Sequence, residues 1–174
     1  MKKAIRISAI MLVVFSFIFT ACDDDILNVD FDTTITQSIP IHINQNQGTV
    51  NESAILSLDN SDTNKYLKKI KGVKIKKLTY KITNFSGDAN GTINVDFKAD
   101  NLVLKTEGFI VKSANDNATI FEVTDIDKLN DMANLLKTNK SVSVGITGQC
   151  VAEETSMDFK VEVTAKLEVT ANPL

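Results

Sequence analysis

The chain has no tryptophan, and only two tyrosines beside nine phenylalanines. Sugar sites commonly stack their ligands on flat aromatic side chains, and Tyr66 and Tyr80 both fall on faces expected to be buried. A surface glycan-binding role is therefore the least supported function. There is one histidine, His42, which alternates with Ile41 and Ile43 onto the outer face of an expected strand. A Ser-His-Asp or Cys-His relay needs its base beside a nucleophile, and this neighbourhood supplies none. The oxygen-rich loop Asp59, Asn60, Ser61, Asp62, Thr63, Asn64 lacks the glycine and distal glutamate of an EF-hand. Asp125 and Asp127 are accounted for by helix capping. Glycine is scarce, and "GITGQ" from Gly145 carries neither the third glycine nor the lysine of a phosphate loop; a β-bulge is expected there instead. No metal, no cofactor and no enzymatic activity is expected.

A long apolar run is also missing. Ile7 to Phe19 is apolar apart from serine, but thirteen helical residues rise only about 20 Å against a hydrocarbon core of about 30 Å. Preceded by Lys2, Lys3 and Arg6, this is the build of a secretory signal peptide over residues 1–21. Phe19, Thr20, Ala21 and Cys22 resemble the lipobox of bacterial lipoproteins. The resemblance implies a Cys22 thiol linked to diacylglycerol, cleavage before Cys22 and acylation of the new amine. Several acyl chains, at about 0.8 kcal/mol per buried methylene, would anchor the protein essentially permanently. Asp23, Asp24 and Asp25 resemble the acidic surface-export signal of Bacteroidetes lipoproteins. In enterobacterial lipoproteins, aspartate at this place resembles an inner-membrane retention signal. The abundance of Ile, Lys and Asn favours the first, hence the outer membrane and exposure at the cell surface, with the periplasmic face of the inner membrane as the alternative.

Without the leader, about 150 residues remain, enough for one domain that buries roughly two thirds of its unfolded surface. The leader takes three of the 19 basic residues, leaving sixteen against 22 acidic ones. That balance argues against a nucleic-acid partner. With Cys22 lipidated, Cys150 is the only thiol, so no internal disulfide can form and stability must come from the core. Residues 22–33 read as the lipidated cysteine and a tether, and residues 34–174 as a single β-rich domain.

The clearest periodicity runs from Met157 to Ala171, where Phe159, Val161, Val163, Ala165, Leu167 and Val169 alternate with polar residues. Strict period two over this length predicts an antiparallel strand with one buried face. Ile35, Ile39, Ile41 and Ile43 alternate similarly, as do Ile93, Val95, Phe97 and Ala99, and Val142, Val144 and Ile146. On the last strand Cys150 keeps the buried phase. "NQNQG" after Asn44, "SGDANG" from Ser86 and "SANDN" from Ser113 are turn-forming clusters, and "DANG" reads as a hairpin. Val73 and Ile75 are out of phase with Leu78, Tyr80 and Ile82, so one extra residue near Lys76 and Lys77 predicts a β-bulge. Ile126, Leu129, Met132, Ala133 and Leu136 follow helical spacing, with Thr124 or Asp125 placed to cap. A shorter helix is expected over 62–71, burying Tyr66, Leu67 and Ile70, with Gly72 in the left-handed position after it. The expected fold is mainly β, an antiparallel β-sandwich or open barrel with one or two short connecting helices.

Lys65, Lys68, Lys69, Lys71, Lys74, Lys76, Lys77 and Lys81 form a run with no acid between them. Either the run is a patch for an anionic lipid or glycan, or its outward lysines guard a strand edge against unwanted pairing. The second is favoured. The leading expectation for function is a non-enzymatic, membrane-anchored envelope lipoprotein acting as a binding or structural module. The alternatives are a carrier of an apolar ligand such as lipid in a sandwich or barrel cavity, and the glycan-binding protein above.

Overall fold

The computed structural model describes residues 28–172; residues 1–21, expected to be a signal peptide, and Cys22 and Asp23 to Asp25 lie outside the described residues. Eight strands form: β1 Val29–Ile43, β2 Thr49–Ser57, β3 Ile70–Gly87, β4 Thr92–Ala99, β5 Leu102–Ile110, β6 Ile120–Val123, β7 Ser141–Val151 and β8 Met157–Ala171. Two helices, α1 Val111–Asp116 and α2 Ile126–Asn139, and a 3-10 turn at Asn64–Lys69 connect them. One four-stranded sheet runs β1-β8-β3-β6 and the other β2-β7-β4-β5. Every pairing is antiparallel. Successive strands change sheet except at the β4–β5 hairpin, and this order is that of a jelly roll, a sandwich of two Greek keys.

Period-two alternation fills the space between the sheets. Ile39, Ile41 and Ile43 from β1, Val161, Val163 and Leu167 from β8, and Leu78 and Ile82 from β3 meet Leu56, Val95, Phe97, Val144 and Ile146 of the second sheet in one core. Each large aliphatic or aromatic side chain buried this fully contributes roughly 1.5–3 kcal/mol. Cys150 is buried in phase with Val142, Val144 and Ile146, as its parity requires. Among the described residues, both sheets are assembled from residues 29–171.

The bulge falls where the phase change demands it. Ile75 pairs with Leu167 and Lys77 with Lys166, leaving Lys76 as the extra residue. In α2 the Asp125 carboxylate accepts from the amides of Asp127 and Lys128 at 3.1 and 3.2 Å, so Asp125, not Thr124, is the cap. Met132, Ala133 and Leu136 are buried, whereas Ile126 is 72% exposed and lies off the buried stripe.

Of the two forms expected, the fold takes the antiparallel sandwich, with two four-stranded sheets. Other expectations are corrected. "DANG" is not a hairpin: β3 and β4 lie in different sheets and the segment crosses between them. "SANDN" lies largely in α1. The ladders on both sides of β7 run without register shift through "GITGQ", so no bulge is there. The two glycines instead admit neighbouring backbones: a Cβ on Gly145 would lie 2.7 Å from Ser53 Cβ, and one on Gly148 2.8 Å from Val95 Cα. Residues 62–71 hold only the 3-10 turn, with Tyr66 and Leu67 half-buried. Ile70 and Gly72 already belong to β3, and Gly72 is not left-handed. The first strand starts at Val29, five residues ahead of the domain start expected at residue 34.

Candidate functional site

The strand order gives the sandwich two unlike ends. Val29 of β1 pairs with Ala171 of β8, and Ala171 with Ile70 of β3. The point where the chain enters the domain therefore shares one end with the 3-10 turn that leads into Ile70. Phe31 and Tyr66 place their rings 5.3 Å apart, Thr33 Oγ1 donates to Asp62 Oδ2 at 3.1 Å, and the Asn172 amide donates to the Lys69 carbonyl at 3.0 Å. A fifteen-residue strand at about 3.3 Å per residue separates this entry end from the far end by about 50 Å.

At the far end, loops from different parts of the chain are bonded together. Asp88, 3% exposed, accepts from the amides of Asn90 and Glu154, each at 2.9 Å. These amide bonds, the one from Glu154 foremost, hold its carboxyl below the usual range. Asn46 donates its amide to the Ala152 carbonyl at 2.8 Å, and Gln45 Nε2 donates to the carbonyl of Glu153 at 2.8 Å. Val111, the first residue of α1, donates to Gly91 at 3.0 Å. Apart from the Asn90 bond, each contact spans two connections, so the loop tips are held in one arrangement.

Beside these loops, on the outer face of the second sheet, the ends of β4, β5 and β7 form an open groove of about 480 Å³. Thr92, Asn94, Gly108, Ile110, Gln149 and Val151 contribute to its lining. A smaller depression of about 240 Å³ adjoins it through Val151 and includes Gln47, Gly48 and Cys150. The larger groove has no charged side chain in its lining. Ile110 and Val151 are 46% and 47% exposed, and Asn94 and Gln149 are exposed hydrogen-bonding amides. Composition and periodicity could not find this groove, because three strands distant in sequence build it from residues on their polar faces.

The outer face of the first sheet has the opposite character. Lys76 bridges Asp32 at 2.7 Å and Glu168 at 3.0 Å, Lys77 meets Glu122 at 3.2 Å, and Lys81 meets Glu162 at 2.8 Å. The bonds to Asp32 and then Glu168 raise the Lys76 pKa. His42 is on this face, as expected. Its Nδ1 lies 2.7 Å from Asp158 Oδ1 and its Nε2 3.2 Å from Asn44 Oδ1, so both ring nitrogens face acceptors and the imidazolium is favoured. The Asp158 bond is the main cause of the raised His42 pKa.

The lysine run is therefore divided and is not one patch. Lys76, Lys77 and Lys81 are neutralised by acids on neighbouring strands. Lys65, Lys68 and Lys71 are exposed at the entry end, and Lys74 on the outer face, with no ion pair to any of the four among the described residues; Lys65 Nζ lies 4.8 Å over the Tyr66 ring. Edge protection does not describe Lys81, because β3 lies between β8 and β6 there.

Cys150 Sγ donates to the Gln47 carbonyl at 3.2 Å, and burial pushes its thiol pKa up, away from nucleophilic character. Tyr80 is buried, stacked on Phe121 at 5.0 Å and tilted against Phe97 at 4.5 Å. It offers no sugar platform, and Tyr66 is half-buried against Phe31. Among the described residues, no group of three or more His, Cys, Asp or Glu side chains is placed to hold a metal, and no helix is long and apolar enough to cross a membrane.

No protein-family model and no curated protein matches the chain. Solved structures do match in fold. The 60-mer BFDV capsid protein superposes with a TM-score of 0.51 at 9% identity, covering 85% of this chain and 97% of that one. The decameric BFDV capsid protein superposes with a TM-score of 0.44, also at 9% identity, over 81% and 99% of the two chains. At such identity the likeness defines a class, the jelly-roll β-sandwich, and nothing narrower.

Proposed function

We propose that this chain is a non-enzymatic envelope lipoprotein, anchored through Cys22 and using its jelly roll as an interaction module. The contact surface is the uncharged groove at the far end of the second sheet. The observation that carries the reading is the separation of the two ends. The chain enters beside Val29, while the groove and the bonded loops around Asp88 lie about 50 Å away along the strands. An anchor at the first end leaves the other free to meet a partner.

The lining suits a neutral partner surface. Ile110 and Val151 offer apolar contact, Thr92, Asn94 and Gln149 offer hydrogen bonds, and no charge must be desolvated. A module is favoured over a carrier of apolar ligands because the largest side chains between the sheets, Phe97, Ile39, Ile43, Leu78 and Leu167 among them, pack against one another in the space a ligand would need.

Metabolic labelling with a fatty-acid analogue tests the anchor. The wild-type chain is expected to carry label and to sediment with membranes, and Cys22→Ala to lose both. Label retained by Cys22→Ala would overturn the reading.

A further inference from the structure

Lys65, Lys68 and Lys71 occupy the turn and strand start at the end where the chain enters the domain, and nothing in the lipoprotein reading accounts for them. They are exposed and have no ion pair among the described residues, in contrast to Lys76, Lys77 and Lys81 further along the same run. The turn is held against the entry strand by the Phe31–Tyr66 contact and against the end of β8 by the Asn172–Lys69 bond. Its position relative to the entry point is therefore fixed. Seven steps along the chain lead from Cys22 to Val29, and at about 3.3–3.6 Å each they reach at most about 25 Å. A domain anchored at Cys22 cannot hold this end far from the headgroups.

We propose that the entry end docks on anionic phospholipid headgroups through Lys65, Lys68 and Lys71, setting the sandwich upright with its groove outward. The proposal rests on the lipoprotein reading for the anchor and adds the orientation. The short tether and the exposure of the three lysines carry it. Asp30, Asp59 and Asp62 stand at the same end and keep their charges, Asp30 under a bond from Thr170 and Asp62 under bonds from Thr33 and Ser61, so the contact is made by the lysine side chains and not by a net positive end. Asp23, Asp24 and Asp25 in the tether would by themselves be repelled by an anionic surface, and the lysines at the base of the domain act against that repulsion. The far end, about 50 Å away, lies several Debye lengths beyond the surface field.

The test uses the unacylated chain 23–174, which contains both described sheets. Co-sedimentation is measured with vesicles of phosphatidylcholine alone and of phosphatidylcholine mixed with phosphatidylglycerol. Binding is expected only to the mixed vesicles and is expected to fall as salt is raised. Changing Lys65, Lys68 and Lys71 together to Gln should lower the partition coefficient about a hundredfold at low salt. Changing Lys76, Lys77 and Lys81 to Gln removes the same charge and should lower it far less. Circular dichroism confirms that both variants fold; if either does not, single substitutions at Lys68 and Lys81 replace the triples. Absence of binding by the parent chain, or equal losses in the two variants, would overturn the proposal. Acyl labelling of Cys22 in cells is read separately. An unlabelled Cys22 with intact vesicle binding removes the anchor and leaves the headgroup contact standing, and a labelled Cys22 without vesicle binding does the reverse.

Discussion

The rings of Phe31 and Tyr66 sit 5.3 Å apart at a 42° tilt, joining the strand that enters the domain to the turn that carries Lys65 and Lys68. Offset and tilted pairs of this kind contribute about 0.5–1.5 kcal/mol beyond their buried area. Tyr66→Ala should destabilise the domain by about 2 kcal/mol, lowering Tm by roughly 5 °C, since the ring is only half-buried. Tyr66→Phe keeps the ring and should be nearly neutral. Thermal unfolding followed by circular dichroism reads both, and an unchanged Tm for the alanine variant would mean that the contact does not hold the turn.

Gly145 and Gly108 separate a glycine required by packing from one that is not. A Cβ at Gly145 would press on the Glu52 carbonyl and on Ser53 across the β2–β7 ladder, whereas one at Gly108 finds its nearest neighbour at 3.8 Å. Gly145→Ala should cost about 1–3 kcal/mol, and Gly108→Ala should cost nothing or add a few tenths. Urea unfolding of the two variants decides it, and equal midpoints would contradict the close approach of β2.

His42 is the only histidine, so its imidazole proton resonances can be followed without assignment ambiguity. Its bond to Asp158 raises the folded pKa above the ordinary 6.5. The associated stability is thus fully present below pH 6.5 and is lost as pH rises through the folded value. Asp158→Asn should bring the titration midpoint back toward 6.5, and a midpoint that does not move would remove the pair as the cause.

Asp88 behaves with the opposite sign. Amides of the far-end loops depress its pKa below 3.8, so the unfolded chain binds more protons in that range. Its contribution is present above pH 3.8 and disappears as pH falls through the folded value. Asp88→Asn should flatten the decline of Tm between mildly and strongly acid conditions. It should also speed hydrogen exchange at the Glu154 amide, and unchanged exchange there would show that the clamp is not formed in solution.

What could be read in advance was what local pattern encodes. Alternation gave the limits of β8 and the inward faces of β1, β4 and β7, the phase change at Lys76 located the bulge, and Asp125 marked the start of α2. Pairing order was beyond reach. The segment Asp88–Gly91 has the composition of a hairpin, yet it crosses between sheets, because a Greek key satisfies β3 with β8 from the end of the chain. β5 escaped notice because its inward positions carry Lys105 and Glu107, which pair with each other at 2.7 Å near the open side of the sandwich. The lysine run was visible as a block of charge, but the pairing of Lys76, Lys77 and Lys81 depends on Asp32, Glu122, Glu162 and Glu168, which lie far away in sequence. The groove left no trace of its own, being made from ordinary strand-end residues.

Because the chain contains no tryptophan, a single introduced indole reports position without background, and this allows the account of a module anchored at one end and open at the other to be tested directly. Asn64→Trp places the reporter on the exposed turn at the entry end, and Ala89→Trp places it on an exposed loop at the far end. Each acylated variant is reconstituted into vesicles bearing a nitroxide at the headgroup, and its fluorescence quenching is compared. The account predicts strong quenching for the indole at position 64 and almost none at position 89, since the two ends differ in height by about 50 Å. Equal quenching at both positions, or the reverse order, would contradict it.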